Sequence, residues 1–165
     1  MNTPFQEHYP LTGFELLRLR AEDAPLIASA MVAMEPWRTL KYGAAPLERY
    51  LLAQDPALQR YTVWVENAVS GIVAVRYPWL KGAYLELIAL FPNQQGQGLG
   101  TAILQWLEQT TKPNANNLWV LVSAFNKSAR RFYCQYGFRE IGPIEALVSP
   151  HSTELLLRKV LLSPP

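Results

Sequence analysis

Apolar positions along this chain recur with two periods, and the switches between them set the order of its elements. Residues 1–13 carry two prolines and a glycine with neither period, and read as an irregular leader. Residues 14–20 alternate as a first strand. A helix starts over 22–25, with Asp23 as N-cap and Pro25 in its first turn, and runs to about Met34, before Pro36. Residues 47–54 read as a short second helix ended near Pro56. Strong β formers fill 60–66, residues 67–71 make a turn, and 71–77 form the hairpin partner. The apolar run 84–91 is a central strand bounded by Gly82 and by Pro92-Asn93. Ile103, Leu104 and Leu107 then recur at helical spacing among good helix formers. After a polar turn at 112–117 come a strand over 118–125 and a helix over 126–136, with the stripe Ala129, Phe132, Tyr133 and Tyr136 and a stop at Gly137. A strand from Phe138 to about Ile141, a loop over 142–152 and an edge-type strand over 153–160 complete the chain. The order β-α-α-β-β-β-α-β-α-β-β predicts one α/β or α+β domain over 1–165, a sheet with helices on both faces.

Composition narrows the function classes. With 165 residues, 50% of them hydrophobic, the chain fills one core and is too short for two comfortable domains. A net charge of +2 and only 17% charged residues leave no dense basic run, so no nucleic-acid partner is expected. The single cysteine, Cys134, rules out an intramolecular disulfide and fits a reducing compartment; without a matching base it reads as structural. His8 and His151 lack companions at metal-ligand spacing, so no metal is expected. The first ten residues are neither basic nor apolar enough for a signal peptide, and no apolar run approaches membrane-spanning length. A soluble cytoplasmic protein with no membrane partner is the expectation.

The chemistry concentrates between the central strand and its helix, at Gln95-Gly96-Gln97-Gly98-Leu99-Gly100. A glycine-rich turn opening a helix leaves several backbone N–H groups unpaired and pointing one way, with the positive end of the helix dipole behind them. Glycine permits the close approach and positive φ angles that such a nest needs. The turn is therefore built to hold a phosphate or pyrophosphate. It is not a Walker A loop, since no lysine lies between Lys81 and Lys112. Nor is it the dinucleotide fingerprint, since Gly96, Gly98 and Gly100 are evenly spaced by two. What remains is Gln-x-x-Gly-x-Gly on a strand–loop–helix.

This loop resembles the acetyl-CoA signature of the GCN5-related N-acetyltransferase (GNAT) family. Downstream, Asn126-x-x-Ala129-x-x-x-Tyr133-x-x-x-Gly137-Phe138 is similar to the family's fourth helix at all five specified positions. The resemblance covers essentially the whole chain and is most specific over 83–138. It implies a mixed, mainly antiparallel sheet of about seven strands, acetyl-CoA as cosubstrate, and direct acetyl transfer to a primary amine of a small molecule or peptide. In that reading Gln95, Gly96, Gln97, Gly98, Leu99, Gly100 and Thr101 face the pyrophosphate. The backbone of Ile88, Ala89 and Leu90 bonds the pantetheine arm like an added strand, and Asn126 sits beside the same arm while capping its helix. Tyr133 takes the place of the tyrosine whose hydroxyl donates a proton to the departing thiolate. The alternative for Tyr133 is a core aromatic with its hydroxyl satisfied locally.

Glu86 is the only carboxylate in the central strand, and period-two alternation puts it on the face of Tyr84, Ile88 and Leu90. A carboxylate in so apolar a strand is costly unless paired, exposed or used, which makes it the candidate general base. Glu35 and an ordered water are the other candidates. Some members of the family, the ribosomal-protein N-terminal acetyltransferases among them, place a glutamate on the following strand; here 118–125 carries none. Residues 35–45 are aromatic for a loop, and the resemblance puts the corresponding segment beside the acceptor. Trp37, Arg38 and Tyr42 are then substrate-facing, with Arg38 suited to a carboxylate; otherwise Trp37 is buried and Arg38 is solvated or paired with Glu35. One glutamate in this segment argues against a polyamine acceptor. A second functional reading is a non-catalytic acyl-CoA-binding or sensor module on the same fold. The strand over 153–160 is a candidate for pairing across a homodimer.

Overall fold

The computed structural model describes residues 3–161. In chain order its elements are β1 (His8–Leu11), β2 (Phe14–Arg18), α1 (Ala24–Met31), α2 (Ala44–Leu52), β3 (Leu58–Val65), β4 (Ala68–Trp79), β5 (Gly82–Leu90), α3 (Leu99–Thr111), β6 (Asn117–Ser123), α4 (Lys127–Gln135), β7 (Arg139–Glu145) and β8 (Thr153–Val160). All eight strands belong to one sheet, ordered β1-β2-β3-β4-β5-β6-β8-β7. Every neighbouring pair is antiparallel except β5 and β6.

The expected seven strands become eight because β1 forms within the stretch read as an irregular leader. Tertiary contact makes it a strand. The Tyr9 ring stands edge-on to Trp106 at 5.1 Å and to Tyr61 at 5.7 Å, and the Tyr61 hydroxyl donates to the Gln6 carbonyl at 2.6 Å. Helix α1 ends at Met31, three residues short of expectation, and turns occupy the residues up to 41. Asp23 makes no side-chain cap, because its carboxylate is taken by Arg20 at 3.0 and 3.2 Å. The strand over 153–160 is corrected from edge to interior: β8 pairs with β6 on one side and β7 on the other. With both edges hydrogen-bonded, it cannot pair across a dimer, and that expectation is withdrawn.

Two apolar clusters sandwich the sheet. Ala24, Ile27, Ala28 and Met31 of α1 and Leu47 and Leu51 of α2 pack on one face with Ile72, Ala74, Leu87 and Ala89. On the other face, Ile103, Leu104 and Leu107 of α3 and Tyr133 of α4 pack with Val73, Val75, Ala83, Leu85, Leu118 and Val120. Strand β4 alternates cleanly between these faces, so a buried central strand reads as a continuous apolar run.

Strand β5 does not alternate cleanly. Leu85 pairs with Val75 and Leu87 with Ala74, so Glu86 is an extra residue, a β-bulge. The bulge flips the strand: Ala83 and Leu85 face α3, whereas Leu87 and Ala89 face α1 and α2. This corrects the assignment of Glu86 to the face of Ile88 and Leu90, both of which pack against the α3-side cluster. Period-two counting fails at a bulge because the inserted residue shifts every later side chain by one.

Candidate active site

Strands β5 and β6 pair at only three positions, Ala83 with Leu118, Tyr84 with Trp119 and Leu85 with Val120. Gly82 makes that closed end possible, since a Cβ there would lie 2.1 Å from the Asn117 carbonyl oxygen. Beyond Leu85 the strands part. β4 still holds the far edge of β5 as far as Leu90, and β8 holds β6 as far as Ser123. The inner edges therefore carry peptide groups with no strand partner, an arrangement that suits an extended, hydrogen-bonding occupant. A cavity of about 940 Å³ fills the opening. Its walls come from the α1–α2 loop, β5, the glycine turn, β6, α4 and the start of β8.

At one end of this cavity, Gly96 and Gly98 have φ of +73° and +81°, with nothing within 4 Å of where a Cβ would stand. The first α3 bond runs from the Ala102 N–H to the Gly98 carbonyl at 3.0 Å. The amides of Leu99, Gly100 and Thr101 precede that ladder and lie at the positive end of the helix. A Cβ on Gly100 would approach the Phe132 ring to 3.1 Å, so this glycine lets α3 start hard against α4. Gln95 and Gln97 brace the turn, donating to the Leu90 and Asn93 carbonyls at 2.8 Å each. The Leu90 carbonyl is thus already engaged, while Ile88, Ala89 and Leu90 all line the opening. The turn and the parted edges suit a pyrophosphate joined to a pantetheine arm.

Asn126 caps α4, its Oδ1 accepting from the Ala129 N–H at 3.2 Å, and it also lines the cavity. About two turns on, Tyr133 is 5% exposed, with its ring edge-on to Phe138 at 5.6 Å. Among the described residues its hydroxyl makes no hydrogen bond, and the residue opens onto the cavity. Burial, and then the nearby Tyr84, push this phenol above its ordinary pKa, so it stays protonated at neutral pH.

Glu86 is placed in the cavity wall, but its oxygens are taken. Oε1 accepts from the Tyr50 hydroxyl at 2.8 Å and from Arg76 at 3.2 Å, and Oε2 accepts from Arg76 at 2.6 Å. Arg76 also donates to Asp55 at 2.8 Å. A carboxylate holding a guanidinium and a phenol has few lone pairs left for a substrate proton. Glu35 is committed as well: Arg38 donates to it at 3.0 and 2.7 Å and the Thr39 N–H at 3.3 Å. Hydrogen bonds from Thr39 and Arg38 hold it below the usual carboxylate range. Of the two readings of Arg38, the pairing with Glu35 is the one the structure shows, and the side chain lies on the cavity wall. Trp37 is half-buried and packs against the α1–α2 cluster, and Tyr42 stands exposed; both remain on the cavity wall.

Sequence reasoning missed Glu154 and Ser123. The two residues are register partners on β8 and β6 at the parted end of the seam. Glu154 is 5% exposed, and both its oxygens lie within reach of the Ser123 hydroxyl, at 3.1 and 2.9 Å. Among the described residues no Lys, Arg or His pairs with it. Burial raises its pKa above the ordinary glutamate value, only partly offset by the Ser123 hydrogen bond. One signal was available: a lone carboxylate opening the apolar run Leu155-Leu156-Leu157, the same anomaly that singled out Glu86.

A sheet split at its one parallel seam, beside a glycine-rich helix start and a helix-borne tyrosine, is the architecture of an acetyltransferase fold. Residues 16–138 match the family model described as "Acetyltransferase (GNAT) family", and the chain belongs to that family. It is 32% identical over 106 residues to the [ribosomal protein bS18]-alanine N-acetyltransferase of Escherichia coli strain K12, covering 64% of this chain and 66%, just under two thirds, of that relative. Among solved structures, the Salmonella typhimurium acetyl transferase that modifies the N-terminal serine of ribosomal protein L7/L12 superposes with a TM-score of 0.75 at 16% identity, covering 94% of this chain and 100% of that one. The acetyltransferase of Thermus thermophilus gives 0.72 at 21% identity, covering 90% and 97%. These two likenesses concern the fold. No helix among the described residues is long and apolar enough to cross a membrane.

Proposed function

We propose that this chain is an N-acetyltransferase that passes the acetyl group of acetyl-CoA directly to a primary amine of a small molecule or peptide. The observation that carries the reading is the parted seam, with the unpartnered Tyr133 hydroxyl in a cavity that runs to the glycine turn. Bound acetyl-CoA supplies an activated acetyl thioester. The amides opening α3 hold its pyrophosphate; the inner edge of β5 at Ile88 to Leu90 grips the arm, and Asn126 flanks it. An N–H of that edge polarises the thioester carbonyl. Tyr133 gives its proton to the sulfur as the carbon–sulfur bond breaks. Trp37 and Tyr42 border the acceptor. The domain acts as one unit over 1–165, and its single, exposed thiol suits the reducing cytoplasm.

The test is thiol release from acetyl-CoA with five amines: 2-phenylethylamine, hexylamine, spermidine, phenylalanine and a tetrapeptide with a free alanine N-terminus. Release with at least one acceptor is expected. Tyr133→Phe should lower kcat by about a hundredfold, the lower end for a lost general acid, with CoA affinity unchanged. CoA binding without release from any acceptor would favour the sensor module, and an absence of CoA binding would remove the reading of the glycine turn.

A further inference from the structure

We infer that Glu154, from β8, is the group that receives the acceptor: it binds the amine as an ammonium ion and takes its first proton. The inference rests on the transfer reaction proposed above and adds to it a residue outside both sequence motifs. Charge balance within the cavity carries it. Of the charged side chains on its walls, Arg38 and Glu35 pair with each other, and Glu86 is held by Arg76, which also bridges to Asp55 outside the wall. Among the described residues, Glu154 alone has no cation within ion-pair reach. It sits buried at the parted end of the seam, with only a neutral hydroxyl donating to it. An uncompensated buried carboxylate is costly to a fold, and a cationic guest relieves the cost.

The surroundings describe that guest. Trp37, Tyr42, Leu147 and Val148 line the same cavity, and Leu147 and Val148 stand exposed in the β7–β8 loop. The acceptor is an amine carried on an uncharged, largely apolar body, without a carboxylate beside the nitrogen. The titratable groups that bear on Glu154 are Tyr84 of β5 and Tyr42 of the α1–α2 loop, both neutral phenols at physiological pH. Ser123 of β6 is its hydrogen-bond donor, and Ile144 of β7 is its register partner on the other side.

The proton path balances. One ammonium proton passes to the Glu154 carboxylate, freeing the nitrogen lone pair to bond the thioester carbonyl carbon. The carbon–sulfur electron pair leaves on sulfur, which takes the Tyr133 proton. The resulting tyrosinate recovers a proton from the now acidic nitrogen, and Glu154 releases its own to solvent. A base working this way should have a pKa close to the working pH, and burial moves Glu154 in that direction.

The test uses whichever of the five amines above turns over fastest. Glu154→Gln should lose at least about a hundredfold in kcat/KM, while calorimetry with CoA alone gives an unchanged affinity. Activity of the wild type should rise with pH through one acidic limb, absent in Glu154→Gln and matched by the Glu154 carboxyl-carbon titration in ¹³C spectra. Ser123→Ala removes the donor to the carboxylate seen among the described residues, so the limb should move to higher pH with CoA affinity unchanged. A Glu154→Gln enzyme within threefold of wild type overturns the inference, as does an unmoved limb in Ser123→Ala. If Glu154→Gln fails to bind CoA, the Ser123→Ala profile decides. A wild type that acetylates none of the amines defeats the transfer reaction itself; an active wild type indifferent to Glu154 defeats only this assignment.

Discussion

The two ends of the β5–β6 seam are built from similar sequence and do opposite things. At the closed end, Gly82 lets the backbones touch, the Asn117 side chain donates to the Lys81 carbonyl at 2.9 Å, and Arg158 donates to Asn117 at 2.8 Å. The polar groups there satisfy one another. At the open end, peptide edges, the Tyr133 hydroxyl and the Glu154 carboxylate are buried or half-buried without such closure. The bulge at Glu86 falls where the strands stop pairing, and it turns the rest of β5 over. The difference teaches that polar groups left incomplete, more than apolar content, separate a binding cleft from an ordinary strand pair.

Breaking the closed end should have the largest effect. Gly82→Ala drives a Cβ into the Asn117 carbonyl, and an overpacked backbone contact of this kind costs about 3 kcal/mol. A thermal melt should show a fall of roughly 6–12 °C for a chain of this size. At the open end, Tyr133→Phe is worth about 2.7 kcal/mol in the barrier, the hundredfold loss in kcat above, with little change in melting temperature.

The two strand carboxylates on the cavity wall, Glu86 and Glu154, sharpen the comparison further. A carboxyl with a raised folded pKa contributes stability that is full below the unfolded value, about pH 4.3, and is lost as pH rises through the folded one. Once pH exceeds that folded value, the fold carries Glu154 ionised at a cost. Glu154→Gln should be more stable than wild type by about 1 kcal/mol at pH 8, a modest figure because the cavity admits water, and the gain should vanish at about pH 4. Melts at the two pH values check it, and a variant less stable at both would sink it. Glu86→Gln should behave oppositely and least: stability falls by about 0.5–1 kcal/mol as the Arg76 pair weakens, and kcat/KM stays within about threefold. A hundredfold loss there would return the base to Glu86.

Much of this was legible in the chain. The glycine turn, the Asn126–Tyr133–Gly137-Phe138 spacing and the alternation of periods determined the family, the position of α3 and α4 and the core strands, because backbone conformation and helical spacing are local properties. Tertiary structure decided the rest. β1 exists through ring contacts with Tyr61 and Trp106, partners far along the chain. The facing of Glu86 turned on one inserted residue, which no periodic count detects. Two glutamates looked alike in sequence, each a charge in an apolar strand. Arg76 on the neighbouring strand holds Glu86, whereas among the described residues the register partners of Glu154 are Ser123 and Ile144, neither of them cationic. Whether a buried charge is spent on the fold or left for a substrate depends on what sits a few ångströms away, and only the register of the sheet fixes that.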